Sequence, residues 1–182
     1  MGALSQKDVG DYLNTYFCSS YQKISNFTLT ARGDKQGGNV ASYFCTPEGR
    51  VLHVVVGPVS GAKLLSEARW VVETWKLVDM DSDGRFVNLQ LIFRRAHQER
   101  LAKEHGLRLT PKQLPALEGW SASTPIDGPK ARMWLNRSGD QQAKVHLLLA
   151  AYPVPKIGRV YGTVFEDILN QPISTAPVVR RG

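Results

Sequence analysis

Near the N-terminus, Val9, Tyr12, Leu13 and Tyr16 recur at i, i+3, i+4 and i+7, the stripe of an amphipathic helix. Ser5 and Asp8 resemble the capping box that opens such a helix. Residues 17–25 and 26–31 then read as extended, and 32–38 as a loop from its glycines and charges. VASYFC (40–45) and RVLHVVV (50–56) read as strands joined by TPEG, where Pro47 presets the turn and Gly49 relieves it. So short a connection forces an antiparallel hairpin. The Val51–Val56 segment is apolar on both faces except at His53, which predicts a sheet covered on both sides and a partly buried edge or core histidine without a catalytic role.

Ser60 is placed to cap a helix whose face carries Leu64, Leu65, Ala68, Val71, Val72 and Trp75. A further helix spans about Phe86 to Glu104, with Leu89, Ile92, Phe93 and Ala96 inward and Glu99–Lys103 as an i,i+4 pair outside. The pattern breaks from Leu107 to Ser138, a stretch rich in proline and glycine in which ARMWL reads as one short strand. QQAKVHLLLAAY follows, then a helix carrying Ile157, Val160, Tyr161, Val164, Phe165, Ile168 and Leu169 on one face. Four segments result: 1–78, an α/β core; 79–106, a helical continuation; 107–138, an irregular connection; and 139–182, a mainly helical extension.

With 182 residues and 42% hydrophobic content, the chain can bury one sizeable core. It has no run of 18 apolar residues, so no spanning helix is read from it. The opening residues lack a basic start followed by an apolar stretch, so no secretory leader is read there either, and compartment stays open. The net charge of +7 permits nucleic acid as a partner on charge alone, but the basic residues are scattered.

Two cysteines, Cys18 and Cys45, form no C-x-x-C, and both fall in segments read as strands. The four histidines, His53, His97, His105 and His146, show no metal-ligand spacing, which argues against zinc. DMDSDGRFVNLQ (79–90) resembles the calcium loop of the EF-hand family. Asp79, Asp81 and Asp83 stand at its first, third and fifth positions, Gly84 at the sixth and Phe86 at the eighth. Gln90 replaces the bidentate glutamate at the twelfth, which removes a charge and predicts weak binding.

The order of elements over 5–76, carried by VGDYLNTYFCSSYQKI and GNVASYFCTPEGRVLHVVVGPVSGAKLL, resembles the C-terminal two-thirds of a thioredoxin-like domain. The resemblance implies an α/β sheet lacking its first strand–helix–strand unit, so that either the sheet is short or the chain starts partway through a longer protein. It departs from active members in two ways. No cysteine opens the first helix, and Gly38-Asn39-Val40 stands where they carry a cis-proline. The role it implies is non-catalytic binding or scaffolding for a protein partner. Two alternatives stand beside that role. One is a thiol–disulfide oxidoreductase whose active segment is missing, leaving Cys18 and Cys45 as the thiols. The other is a calcium-modulated interaction module.

Overall fold

A computed structural model describes residues 2–22, 28–29, 31, 35–36, 39–78, 85–110, 113–114, 126, 128–174 and 179–180. The architecture is mixed α/β, with six helices, a two-stranded antiparallel sheet and a small set of two-residue strands among the described residues.

Glycine places the hairpin. Gly49 has φ +72°, and its amide donates to the Thr46 carbonyl at 2.9 Å. A left-handed residue at this point closes the turn without the steric penalty that a Cβ would bring. Strand β3 (Ala41–Cys45) thereby pairs with β4 (Val51–Val56), with Ala41 opposite Val56 and a register slip between Phe44 and Cys45. All six residues of β4 are buried, as its continuous apolar run predicts.

Two cores flank β4. Val51, Val54 and Val56 join Leu135, Leu148, Leu149, Phe165 and Ile168. Leu52 and Val55 join Val9, Leu13, Leu64, Ala68, Val71 and Phe93. The second core is closed by α1 (Lys7–Tyr16), α2 (Gly61–Lys76) and α3 (Arg85–His105). The first is closed by α4 (Gly128–Leu135), α5 (Gln141–Ala151), α6 (Ile157–Gly162) and a π-helical stretch, Thr163–Ile168, that continues α6. Strands β1 (Thr28–Leu29), β2 (Lys35–Gln36) and β5 (Val179–Arg180) form a separate sheet in the order β2-β1-β5.

Capping follows local chemistry. Ser60 Oγ accepts from the Lys63 amide at 3.2 Å, and Asp140 Oδ1 from the Ala143 amide at 2.6 Å. The cap expected at Ser5 is not formed. Ser5 sits in a 3₁₀ turn, Ala3–Ser5, with its hydroxyl on the Gly2 carbonyl, and Gln6 precedes α1 without a side-chain cap. ARMWL is helix, not strand: Ala131 and Leu135, four apart, are both buried, while Arg132 and Met133 face out. Glu99 pairs with Arg95, one turn before it, at 2.8 Å; the partner expected was Lys103, one turn after it. Cys18 follows the end of α1 outside any strand.

The edge of β4 away from β3 is closed by other parts of the chain. The Val51 amide donates to the Pro155 carbonyl at 2.8 Å. Gln142 Nε2 donates to the Val54 carbonyl at 2.9 Å, and Gln142 Oε1 accepts from the Val56 amide at 3.4 Å. The Leu52 carbonyl meets His97 Nε2 at 2.9 Å. One side-chain amide and one imidazole thus stand in for part of a neighbouring strand. Among the described residues, no helix is long and apolar enough to cross a membrane.

Candidate metal centre

Along that edge α2, α3 and α5 converge, and each brings polar residues into an apolar surrounding. His53 comes from the middle of β4. On α2, Lys63, Glu67 and Trp70 succeed one another at helical spacing and share a face. On α3, His97, Arg100 and Glu104 do the same. His146 comes from α5. His53, His97, His146 and Glu67 are all between 0% and 1% exposed, which makes any unpaired charge among them costly.

Glu67 is surrounded by donors. Arg100 grips both carboxylate oxygens, with Nη2 to Oε1 at 2.9 Å and Nη1 to Oε2. Lys63 Nζ reaches Oε1 at 2.6 Å, and His53 Nε2 lies 3.0 Å from Oε2. Burial by itself would raise the Glu67 carboxyl. The two Arg100 hydrogen bonds, with the His53 and Lys63 contacts, outweigh it and hold the group far below the usual carboxylate range. Arg100 also binds Glu104, with Nε to Oε1 at 2.6 Å, and its guanidinium lies 4.8 Å from the centre of the Trp70 ring. Burial would lower the guanidinium, but its two carboxylate partners raise it instead.

The three imidazoles pack as a cluster: ring centres are 5.5 Å apart for His53 and His97, 5.4 Å for His53 and His146, and 5.1 Å for His97 and His146. Trp70 stands edge-on to His53 at 5.0 Å and to His97 at 5.2 Å. Hydrogen bonding fixes the tautomers. The Leu52 carbonyl can only accept, so His97 carries its proton on Nε2 and leaves Nδ1 bare. The 2.8 Å contact between His97 Nδ1 and His146 Nδ1 therefore needs its proton on His146. That leaves His146 Nε2 bare, and among the described residues neither it nor either ring nitrogen of His53 has a hydrogen-bond partner, the 3.0 Å approach of His53 Nε2 to Glu67 being a close contact only.

All three rings are held neutral. Burial lowers His97 to about 3, helped by His53. Burial likewise lowers His53, against the opposing pull of Glu67, and lowers His146 well below its ordinary value with help from His97.

This combination fits a metal ion. One ring nitrogen from each of His53, His97 and His146 lies within 4.8 Å of the others. A tetrahedral zinc ion with Zn–N bonds of about 2.0–2.1 Å spaces its nitrogens at roughly 3.3 Å, so modest ring rotation satisfies it. Imidazole must be neutral to coordinate, and these rings are. Ligating histidines are typically oriented by a carbonyl or carboxylate on the opposite nitrogen. His97 has the Leu52 carbonyl there, and His53 Nε2 stands 3.0 Å from a Glu67 oxygen without a hydrogen bond between them.

The residues singled out by sequence lie elsewhere. Cys18 is exposed, and Cys45 is half-buried in β3 against the first core, its thiol pushed up to about 11 by burial. Both are free. Gln90 is buried in α3, and its side-chain nitrogen has no hydrogen-bond partner among the described residues. Asp79, Asp81 and Asp83 fall outside the described residues. His53 is buried as expected, but its meeting with His97 and His146 is not visible in any local motif. The available signal was subtler: VLHVVV and VHLLLAA are buried runs, each interrupted by a single histidine. The chain matches no protein-family model, and no curated protein and no solved structure is significantly similar to it.

Proposed function

We propose that this protein binds a divalent transition-metal ion of the zinc class on His53, His97 and His146, in a non-catalytic role that ties β4, α3 and α5 together. One observation carries the reading: three buried, neutral imidazoles from three separate elements bring a nitrogen each within 4.8 Å of one another. Three nitrogen donors suit zinc, copper or nickel better than calcium or magnesium, which prefer oxygen.

The test uses the full chain stripped with a chelator and titrated with zinc by calorimetry, with cobalt as a spectroscopic substitute. Binding should raise the melting temperature in step with RT ln(1 + [L]/Kd). His53→Ala and His97→Gln should each weaken it at least tenfold. Absence of zinc binding by the parent chain, or binding indifferent to both substitutions, would sink the reading.

A second reading keeps the thioredoxin-like scaffold with a protein partner. It is favoured by the β3–β4 hairpin running into α2, with α1 sharing the same core. Under that reading Cys45, with its thiol raised, is a packing residue. An insulin-reduction assay should show no turnover. Turnover lost in Cys45→Ser would restore the oxidoreductase alternative.

A further inference from the structure

His146 belongs to two groups of metal-capable side chains. Besides the buried one, a carboxylate oxygen of Glu104 and a ring nitrogen each of His105 and His146 lie within 4.8 Å of one another. The two groups differ in depth. The side chains of Glu104 and His105 are 33% and 16% exposed, whereas His146 is fully buried. The first two close the C-terminal turn of α3.

Two further observations point to a ligand here. His146 Nε2, bare by the tautomer argument above, is buried and without a hydrogen-bond partner among the described residues. His105 Nε2 is also buried without one, while its other nitrogen, Nδ1, lies 3.5 Å from Asp140 Oδ1. A carboxylate behind one nitrogen and a vacant lone pair on the other is the arrangement that orients a ligating imidazole. Glu104 is held in place by Arg100, which contacts both its oxygens and leaves further lone pairs available.

We propose that Glu104, His105 and His146 form a second metal position, nearer the surface, and that His146 bridges the two ions with Nδ1 inward and Nε2 outward. The inference rests on the three-histidine reading for its inner half. With both positions filled, His146 carries no ring proton. Binding of the inner ion at Nδ1 moves the His146 ring proton to Nε2, and loading the second ion at Nε2 releases that proton to solvent.

The experiment is a zinc titration of the chelator-stripped full chain, read by calorimetry in two buffers of different ionisation enthalpy and by metal content after desalting. The parent chain should take up two ions, the second with release of one proton. His105→Gln and Glu104→Gln, both at partly exposed positions, should each reduce uptake to one ion while the inner position keeps its affinity within about threefold. His53→Ala should lose the inner ion and keep the outer. A parent stoichiometry of one that His105→Gln leaves unchanged would overturn the second position and leave the first intact. Uptake of no ion would overturn both. Two ions persisting in His105→Gln and Glu104→Gln would place the second ion elsewhere and overturn the assignment.

Discussion

The core on the α4–α6 side of β4 and the seam where α2, α3 and α5 meet its edge are about equally dry, yet they are held by different forces. Phe165, Val164, Leu148 and Ile168 are 0–1% exposed, and so are His53, His97, His146 and Glu67. Burying the first set gains about 25 cal/mol per Å² of apolar surface, whatever the pH. Burying the second set costs desolvation free energy, which only correct partners and correct protonation offset. Equal burial therefore does not mean equal robustness: the aliphatic side should respond to lost volume, the seam to lost protons, charges and ions.

The largest expected effect is on the aliphatic side. Phe165→Ala should cost about 3–5 kcal/mol through lost transfer free energy and the cavity left behind. In urea titrations that loss should be the same at pH 7.5 and pH 5.5. A loss that changes strongly with pH would erase the contrast.

Glu67→Gln attacks the seam. It leaves Arg100, Lys63 and His53 facing a neutral amide, and should cost about 3 kcal/mol, the lower end for a broken buried ion pair, since Arg100 keeps Glu104. A loss below about 1 kcal/mol would mean the carboxylate is far better solvated than its surroundings imply.

Acid should separate the two regions more finely. The imidazole titrates near 6.5 in the unfolded chain and about 3 for folded His97. Between those values the unfolded chain takes up the proton and the fold does not, so stability falls as pH drops below 6.5. At pH 5 that amounts to about 2 kcal/mol for His97. His53 and His146, also lowered, act in the same direction. Glu67, lowered as well, contributes stability above the ordinary carboxylate range that is lost as pH falls toward its folded value. Chelated protein melted at pH 7.5, 6 and 5 should show the decline, and saturating zinc at pH 6 should blunt it. A flat profile would contradict the burial of neutral rings.

The smallest effect lies at a helix start remote from the contrast. Ser60→Ala should cost about 1 kcal/mol by freeing the Lys63 amide, with no change in metal uptake. Any change in uptake would mean that α2 shifts when its cap is lost, carrying Glu67 with it.

The hairpin and the helices on either side of it were readable because their signals are local. Gly49 needs a left-handed turn, Ser60 precedes an apolar stripe, and α3 ends within a residue of its expected limit. What was misread turned on competition between local alternatives. The short piece around Met133 is consistent with either period, and packing of Ala131 and Leu135 decides for helix. The Ser5 hydroxyl prefers its own 3₁₀ turn to the capping role. The candidate site was hardly legible, because its ligands are separated by 44 and 49 positions and only tertiary packing unites them. Spacing rules for metals describe ligands that share a loop or helix. A centre assembled across β4, α3 and α5 leaves only isolated histidines in apolar runs.

His97 has two loyalties, and they bear on how its variants behave in a test tube. Its Nε2 covers the Leu52 carbonyl beside the Gln142 amide that covers Val54 and Val56. An exposed strand edge is a template for intermolecular pairing, and natural proteins obstruct such edges. Removing the imidazole uncovers one rung of that template in a segment, VLHVVV, rich in residues that favour cross-strand stacking. Insoluble material from His97→Ala would thus report an opened rung of β4. His97→Gln, which restores a donor toward Leu52 while removing the ring, should remain in solution.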